Sequence, residues 1–252
     1  MSASDGPLPW PPGPLKYGFI RHGLRLLISC YLRVRVEGAE HVPAPGTGPY
    51  LLNFSHPNWV DPLVIVGFWP DSTRTIMIFG PKEEDMAVGG RNRIIRWSRM
   101  SVPFRPTKRE LLQTTRRAAS VLRAGLVLAV AGEGRLSDEE GTIVPLEEGP
   151  AYLALRAQVP IVPVVIIGTR WLRFGKRVTV RIGSPLSTAG RRATRAGVDE
   201  VTRELSGAMQ NLLEGVVGEP PPGPFGRWLT DVFNERPWLD MDPANSRQKP
   251  PS

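Results

Sequence analysis

Two uninterrupted apolar runs constrain the fold of this chain more than any other feature. They occupy residues 126–131 and 161–167, and neither contains a polar side chain. Runs of this kind are typical of strands that are covered on both faces, as in parallel sheets. Residues 50–54, 75–79 and 177–182 predict three further strands, the last with alternating polar and apolar side chains. A chain with such strands needs helices on both faces of a sheet.

Amphipathic segments separate the predicted strands. Apolar residues recur every three or four positions from Val198 to Val216, which predicts a long helix. Thr107 and Glu110 form a capping box that predicts the start of another helix, and residues 147–157 predict a third. Because strands alternate with helices in a chain of 252 residues, we predict an α/β fold. Its single domain contains a mixed, largely parallel sheet flanked by helices.

The two ends of the chain are rich in proline. We therefore predict a flexible N-terminus over residues 1–14, a folded domain over residues 15–217 and a Pro-rich tail over residues 218–252. The tail contains a short amphipathic helix whose aromatic face includes Phe225 and Trp228. This helix docks on the domain or lies against lipid, and the sequence does not decide between the two.

Residues 15–32 predict an N-terminal amphipathic helix. They come closest to a membrane span, but Lys16, Arg21 and Arg25 interrupt them, and a span needs roughly 18 consecutive apolar residues. Such a helix lies in a membrane interface or packs on the core of its own domain. Residues 1–14 lack the basic and apolar regions of a secretory signal, so we expect a cytoplasmic protein.

The chain is basic, with a formal net charge of +8. Its cations are concentrated in residues 91–123 and 170–195. They form solvated faces or a surface for an anionic partner, and both an anionic membrane and a nucleic acid fit this description. The single cysteine, Cys30, excludes an internal disulfide. The sequence has no cluster with metal-ligand spacing, and we predict no metal site.

The clearest candidate for chemistry is the pair His56 and Asp61, in the segment Asn-Phe-Ser-His-Pro-Asn-Trp-Val-Asp-Pro. The segment follows a predicted strand, and Asp61 and Pro62 suit the N-cap and first position of the next helix. A carboxylate behind a histidine fixes its tautomer, so the pair acts as a general base. The alternative is that Asp61 only caps the helix. Ser55 is a poor nucleophile here because neighbours in an extended chain point apart, so we predict that the pair activates a substrate hydroxyl.

A second candidate group follows the apolar run at 126–131. Glu133, Gly134 and Arg135 lie at the end of this predicted strand, where charged groups can surround an anionic head group. Arginine suits phosphate because its planar guanidinium donates two parallel hydrogen bonds. Arg105 is a further candidate for a phosphate ligand. The alternative for Glu133 and Arg135 is a local salt bridge.

The order of these pieces resembles the glycerolipid (lysophospholipid) acyltransferase family. That family has a His-x4-Asp block, a block that ends in arginine, a Pro-Glu-Gly-Thr-Arg-Ser block and an apolar block with prolines. The matching segments of this chain are, in the same order, residues 56–61, 82–84 with 104–105, 133–137 and 159–164. The resemblance covers about residues 34–186.

The resemblance implies an O-acyltransferase that moves a fatty acyl group from a thioester donor to a hydroxyl of a lysophospholipid, most closely a lysophosphatidate. Acyl-CoA or acyl carrier protein serves as co-substrate, and no cofactor is needed. By the same resemblance, His56 and Asp61 are catalytic. The residues it assigns to substrate binding are Arg105, Glu133, Gly134 and Arg135. The expected location is the inner face of an anionic membrane, with no nucleic acid partner.

The chain departs from the family pattern near Glu133. Gly132 stands where the family has proline, and Arg135 follows Glu133 by two positions rather than three. These departures leave other hydroxyl acceptors open, such as a glycolipid or an amino-acid-containing lipid. A non-catalytic basic protein that binds membrane or nucleic acid is a further alternative, and the intact pair of His56 and Asp61 argues against it.

Overall fold

The computed structural model describes residues 11–82, 90–104, 111–137, 141–220 and 222–234. The helices are α1 (Pro14–Tyr31), α2 (Asp61–Phe68), α3 (Gly90–Ser98), α4 (Leu111–Arg123), α5 (Gly149–Ala157), α6 (Arg195–Leu212) and α7 (Pro224–Asn234). The strands are β1 (Leu32–Glu37), β2 (Leu51–Phe54), β3 (Ile76–Lys82), β4 (Ser101–Phe104), β5 (Val127–Ala131), β6 (Ile161–Ile167) and β7 (Lys176–Ile182).

These strands form one sheet in the order β1-β7-β6-β2-β5-β3-β4. Neighbouring strands run parallel except for β6 and β7, which are antiparallel. The predicted α/β class and the mixed, largely parallel sheet are therefore confirmed. Because β5, β2 and β6 are parallel neighbours, the loops that follow them meet at one edge, which we call the carboxyl edge.

Two apolar cores cover the two faces of the sheet. Along β2, Leu52 and Phe54 belong to one core and Leu51 to the other, as the two-residue period of a strand requires. The first core is completed by α1 and α2, and the second by α4, α5 and α6. The central strands are thus buried on both faces, which is why their sequences are continuously apolar.

The predicted strands correspond to β2, β3, β5, β6 and β7, whereas β1, β4 and α3 were not predicted. β1 is an edge strand that follows α1 without a break, so the helical pattern continues into its first residue. β4 has four residues, one of them Pro103. One boundary was also wrong: α2 begins at Asp61 with Val60 as N-cap, so Asp61 lies in the first turn. The predicted capping box of Thr107 and Glu110 lies outside the described residues.

Helix α1 has one face that is buried in the core and another that is exposed to solvent, so packing on the core is seen in the structure and the membrane interface stays a prediction. Tyr17, Ile20 and Ile28 are buried in the first core, whereas Leu15 and Phe19 are 93% and 72% exposed. Arg21 anchors the buried side by donating to the carbonyl oxygens of Trp69 at 2.5 Å and Asp71 at 2.9 Å. None of the described helices has the length and apolar content to cross a membrane.

The basic segment 170–195 is partly structural rather than one uniform surface. Lys176 is buried and donates to Glu219 at 2.7 Å. Arg181 donates to Glu37 at 3.1 Å, and the Arg191 guanidinium to Glu204 at 2.9 Å. These three cations are therefore paired with acidic side chains of the same fold.

Candidate active site

The His56 and Asp61 side chains meet in the loop between β2 and α2. His56 Nδ1 lies 3.2 Å from Asp61 Oδ2, so Nδ1 carries the proton and Nε2 presents its lone pair. Asp61 is completely buried, and the His56 side chain is 18% exposed. The imidazole is therefore reachable from solvent while its carboxylate partner is not.

The turn that connects the two residues is held by its own polar groups. The backbone N–H of Asn58 donates to Asp61 Oδ2 at 2.6 Å, and the backbone N–H of Val60 donates to Asn58 Oδ1 at 3.1 Å. Asp61 thus closes the turn and orients the imidazole at the same time. Burial raises the pKa of the Asp61 carboxyl, and the His56 imidazole and the Asn58 N–H act to lower it.

Ser55 points away from the histidine, as the strand geometry predicts. Its hydroxyl accepts a hydrogen bond from the backbone N–H of Ile166 at 2.9 Å, and the side chain is buried. Ser55 therefore ties β2 to β6 and is not placed to act as a nucleophile. The remaining histidines are used elsewhere: His22 Nδ1 contacts the Gly18 carbonyl at 2.8 Å, and His41 Nδ1 contacts the Ile182 carbonyl at 2.9 Å.

The loop after β5 lies directly against the histidine loop. The backbone N–H of Ser137 donates to the His56 carbonyl at 2.8 Å, which fixes the two loops to each other. Glu133 turns inward and is 3% exposed. Neither of its carboxyl oxygens forms a hydrogen bond of standard geometry with a described residue. Burial raises the pKa of Glu133 to about 7, and Asp61 contributes to the rise while the neighbouring His56 N–H and Arg135 oppose it.

A family model described as Acyltransferase matches residues 33–167. The chain belongs to the acyltransferase family. The 1-acyl-sn-glycerol-3-phosphate acyltransferase of coconut (Cocos nucifera) is 28% identical in an alignment of 196 positions that covers 72% of this chain and 59% of that protein. The 1-acyl-sn-glycerol-3-phosphate acyltransferase alpha of mouse (Mus musculus) is 29% identical in an alignment of 181 positions that covers 66% of this chain and 60% of the mouse protein. The chain thus spans about 60% of the length of these relatives.

A solved structure supports the fold of this acyltransferase. PlsC from Thermotoga maritima, a 1-acyl-sn-glycerophosphate (LPA) acyltransferase, superimposes with a TM-score of 0.60 at 23% identity. The match covers 79% of this chain and 78% of PlsC. The family resemblance drawn from the four sequence blocks is therefore confirmed, and it extends over the same central region of the chain.

Gly132, the departure from the family proline, has a structural reason in this acyltransferase. A Cβ atom at this position would lie 2.2 Å from Oδ1 of the Asn53 side chain. Asn53 is completely buried, and its Nδ2 donates to the Met209 sulfur at 2.8 Å. Any residue with a side chain at position 132, proline included, would displace this amide.

Gly134 and Arg135 complete the loop on its outer side. Gly134 has a φ of +65°, in the left-handed region that glycine adopts without strain, and this turns the chain outward after Glu133. Arg135 is exposed and makes no hydrogen bond or ion pair with the residues that the structure describes. The local salt bridge between Glu133 and Arg135 is not formed, since Glu133 faces the histidine loop instead.

Thr169 is a site residue that the sequence analysis missed. It follows β6 and is completely buried. Its hydroxyl and Asp61 Oδ1 both lack a hydrogen bond of standard geometry to other described residues, yet the hydroxyl acts to lower the pKa of Asp61. Gly168, with a φ of +93° and its α-carbon against the Arg177 carbonyl, makes the turn that brings Thr169 to the site. A threonine at the end of a buried strand was the available signal.

Arg105, the other predicted phosphate ligand, lies outside the described residues. The strand before it, β4, pairs with β3 in parallel and ends at Phe104, so the chain leaves β4 at the carboxyl edge. In the described part of the chain, no group of three or more His, Cys, Asp or Glu residues could hold a metal ion. The prediction that no metal takes part stays a prediction.

Proposed function

We propose that this protein transfers a fatty acyl group from a thioester donor to a hydroxyl of a lysophospholipid, with a lysophosphatidate as the expected acceptor. The contact between His56 Nδ1 and Asp61 Oδ2 at 3.2 Å carries the proposal, because it leaves Nε2 free as a base at the carboxyl edge. The two named relatives and PlsC, all acyltransferases for 1-acyl-glycerol phosphates, support the choice of acceptor.

The reaction follows from the orientation of the imidazole. Nε2 of His56 removes the proton from the acceptor hydroxyl, and the oxygen attacks the thioester carbonyl carbon. The tetrahedral intermediate then expels the thiolate, which takes the proton back from the imidazolium. Asp61 stabilises the imidazolium and holds its Nδ1–H in place. Binding holds the acceptor hydroxyl beside His56. The two groups then need not meet by diffusion in solution, and this raises the rate.

The acceptor phosphate is assigned to arginine. Arg135 is exposed, and its charge acts on the neighbouring Glu133 while its planar guanidinium suits a bidentate contact to phosphate. We assign Arg105 the same role, and Gly134 allows the chain to turn outward toward the ligand. We assign Glu133, whose oxygens face the histidine loop, to an acceptor hydroxyl. Acyl-CoA and acyl carrier protein both remain candidate donors in this proposal, and no further cofactor takes part in the chemistry described.

We further propose that the protein works on the inner face of an anionic membrane as a peripheral cytoplasmic protein. Leu15, Phe19 and Leu26 form an exposed apolar stripe on α1 with a helical spacing of four and seven. Exposed Arg25 lies beside the stripe, and the Lys16 ammonium lies 4.4 Å from the ring centroid of Trp97 on α3. Apolar side chains bordered by cations suit a bilayer interface with anionic lipids.

The proposal is tested by thiol release from a long-chain acyl-CoA, and separately from acyl carrier protein, with lysophosphatidate as acceptor. His56→Ala should lower the acceptor-dependent rate by about 10³-fold or more. His41→Ala is the matched control. His41 Nδ1 contacts the carbonyl oxygen of Ile182 at the end of β7, away from the candidate site, so this variant should keep the rate. Full activity of folded His56→Ala would refute the mechanism. Transfer to glycolipid or amino-acid-containing lipid acceptors, with none to lysophosphatidate, would move the proposal to those acceptors.

A further inference from the structure

Helix α7 presents two neighbouring, mutually tilted aromatic rings to solvent. The Phe225 and Trp228 rings have centroids 5.7 Å apart and an interplanar angle of 30°, and the side chains are 74% and 41% exposed. Phe174, in the loop between β6 and β7, is 78% exposed. We call these three side chains the aromatic face. Single exposed apolar side chains are common on protein surfaces, whereas a patch of several large ones marks an interaction surface.

The helix that carries two of these three side chains is fixed to the domain. Thr230 of α7 is buried, and its hydroxyl oxygen accepts from the backbone N–H of Leu172 at 3.2 Å. Before the helix, Glu219 accepts from the buried Lys176 ammonium at 2.7 Å. The helix therefore docks through one side, while Phe225 and Trp228 point outward from a held position. Docking on the domain, one of the two alternatives that the sequence left open for the tail, is thus seen in the structure, and contact with lipid stays a prediction.

The position of the aromatic face links it to the candidate site. Residues 168–175, on which α7 docks, follow β6 at the carboxyl edge and include Thr169 beside Asp61. Phe174 also contacts Tyr31 at the end of α1, with ring centroids 6.0 Å apart. The aromatic face is thus continuous with the end of the helix that carries the apolar stripe, and it lies on the same edge as His56.

The charges around the aromatic face favour an anionic partner. Arg173 and Arg227 are exposed next to it, and the Arg170 guanidinium lies 4.8 Å from the ring centroid of Trp171. Tryptophan and phenylalanine rings bordered by arginine are the composition that concentrates at the boundary between lipid head groups and acyl chains. Arginine adds attraction to anionic head groups.

We propose that the aromatic face is a second bilayer contact, which inserts into the interface of an anionic membrane and turns the carboxyl edge toward the lipid. The benefit of this orientation rests on the proposed function, since it shortens the path of a lysolipid from the bilayer to His56. The contact itself depends only on the surface of α7 and the loop before β7. It can be tested without substrate.

The first experiment places a probe on the aromatic face. Cys30 is the single cysteine, so Cys30→Ser with Phe225→Cys gives one labelling position for an environment-sensitive fluorophore. The control is Cys30→Ser with Ala189→Cys, an exposed position near the opposite edge of the sheet. With vesicles of phosphatidylglycerol and phosphatidylcholine, the probe at 225 should shift to an apolar emission and the probe at 189 should not. The absence of a shift at 225, with or without vesicle binding, would overturn the proposal.

The second experiment measures the strength of the contact. Phe225→Ala with Trp228→Ala should weaken partition into these vesicles roughly tenfold, since two aromatic rings no longer enter the interface. Val217→Ala, which removes another strongly exposed apolar side chain, should leave partition unchanged. Equal partition of the double variant and the wild type would contradict the proposal. A probe response that grows with protein concentration without vesicles would replace the bilayer with a second copy of the chain.

Failure of the inference and failure of the proposed function give different results. Thiol release with a water-soluble short-chain acceptor, measured without vesicles, reports the chemistry alone, and the double variant should retain it. If no acceptor supports transfer but the probe still responds to vesicles, the function is wrong and the bilayer contact stands. If transfer is normal and the probe is silent, the contact is wrong and the function stands.

Discussion

The two loops at the carboxyl edge, after β2 and after β5, differ in how far the protein itself supplies hydrogen-bond partners to the side chains that we assign to the reaction. In the loop after β2, Asp61 Oδ2 receives the Asn58 N–H and faces His56 Nδ1, so the catalytic geometry exists before substrate arrives. In the loop after β5, Glu133 is buried with no standard hydrogen bond among the described residues, and Arg135 is exposed. Asp61 Oδ1 and Asn58 Nδ2 also lack a standard partner among the described residues, so the loops differ in the groups that face the reaction and not in every polar atom. We call the loop after β2 the closed loop and the loop after β5 the open loop.

This difference separates catalysis from binding. A general base needs a fixed orientation, which buried hydrogen bonds provide before binding. A binding loop keeps unpaired groups that only the ligand completes, and each buried unpaired polar group costs about 1–3 kcal/mol in the free protein. Substitutions in the first loop should therefore act on the chemical step, and substitutions in the second on stability and on the acceptor KM.

The largest effect is expected at Asp61. Asp61→Asn keeps the size of the side chain but removes the charge that stabilises the imidazolium, so kcat should fall by on the order of 10³-fold. The matched control is Asp71→Asn, which changes another buried carboxylate that bonds Thr73 and Arg74. It should lower the melting temperature without such a loss of kcat. A folded Asp61→Asn enzyme with normal kcat would remove the distinction between the two loops.

The pH dependence of stability tests the open loop. The pKa of Glu133 is about 7 in the folded protein, above its ordinary value of 4.5, so the native state binds more protons than the unfolded state. Its contribution to stability is complete below pH 4.5 and is lost as the pH rises through 7. Glu133→Gln resembles the neutral carboxyl, and near pH 8 it should be more stable than the wild type by as much as about 3 kcal/mol.

Chemical denaturation between pH 5 and pH 8 measures this effect on the free energy of unfolding. The wild-type free energy should fall over this range more steeply than that of Glu133→Gln. Glu148→Gln, at an exposed position, should follow the wild-type curve. Parallel curves for Glu133→Gln and the wild type would mean that Glu133 is not held in a buried, protonated state.

The sequence predicted the fold and the closed loop better than the open one, for physical reasons. Continuous apolar runs report burial on both faces, and His56 and Asp61 are joined by a short turn, so spacing alone brings them together. Glu133 turns inward where the loop after β5 contacts the histidine loop through Ser137, and a contact between two loops cannot be read from spacing along the chain. Thr169 reaches Asp61 only because β6 lies beside β2, and the order of strands in a sheet is a tertiary property.

The third effect is expected on the affinity for the acceptor. Arg135→Ala should raise the KM for a phosphate-bearing acceptor about tenfold and leave kcat nearly unchanged, because the guanidinium binds ground state and transition state alike. Arg156→Ala removes an exposed arginine from the end of α5 and should leave both constants unaltered. An unchanged KM for Arg135→Ala would assign the phosphate to Arg105 alone.

The smallest effect is expected at Thr169, which follows β6 and belongs to neither of the two loops but lies beside Asp61. Thr169→Val removes the hydroxyl that acts to lower the pKa of Asp61, so the Asp61 carboxylate, which orients the imidazole, should take up a proton at a higher pH. The acid limb of the kcat profile should move upward in pH, and kcat near neutrality should fall by roughly fivefold, the size of one neutral hydrogen bond. Thr169→Ser should restore the profile because it keeps the hydroxyl.

Thr202→Val is the control, since the Thr202 hydroxyl is also buried without a partner among the described residues but lies on α6. A lower melting temperature with an unshifted profile in Thr169→Val would make Thr169 a packing residue, and the closed loop would then consist of His56, Asn58 and Asp61 only.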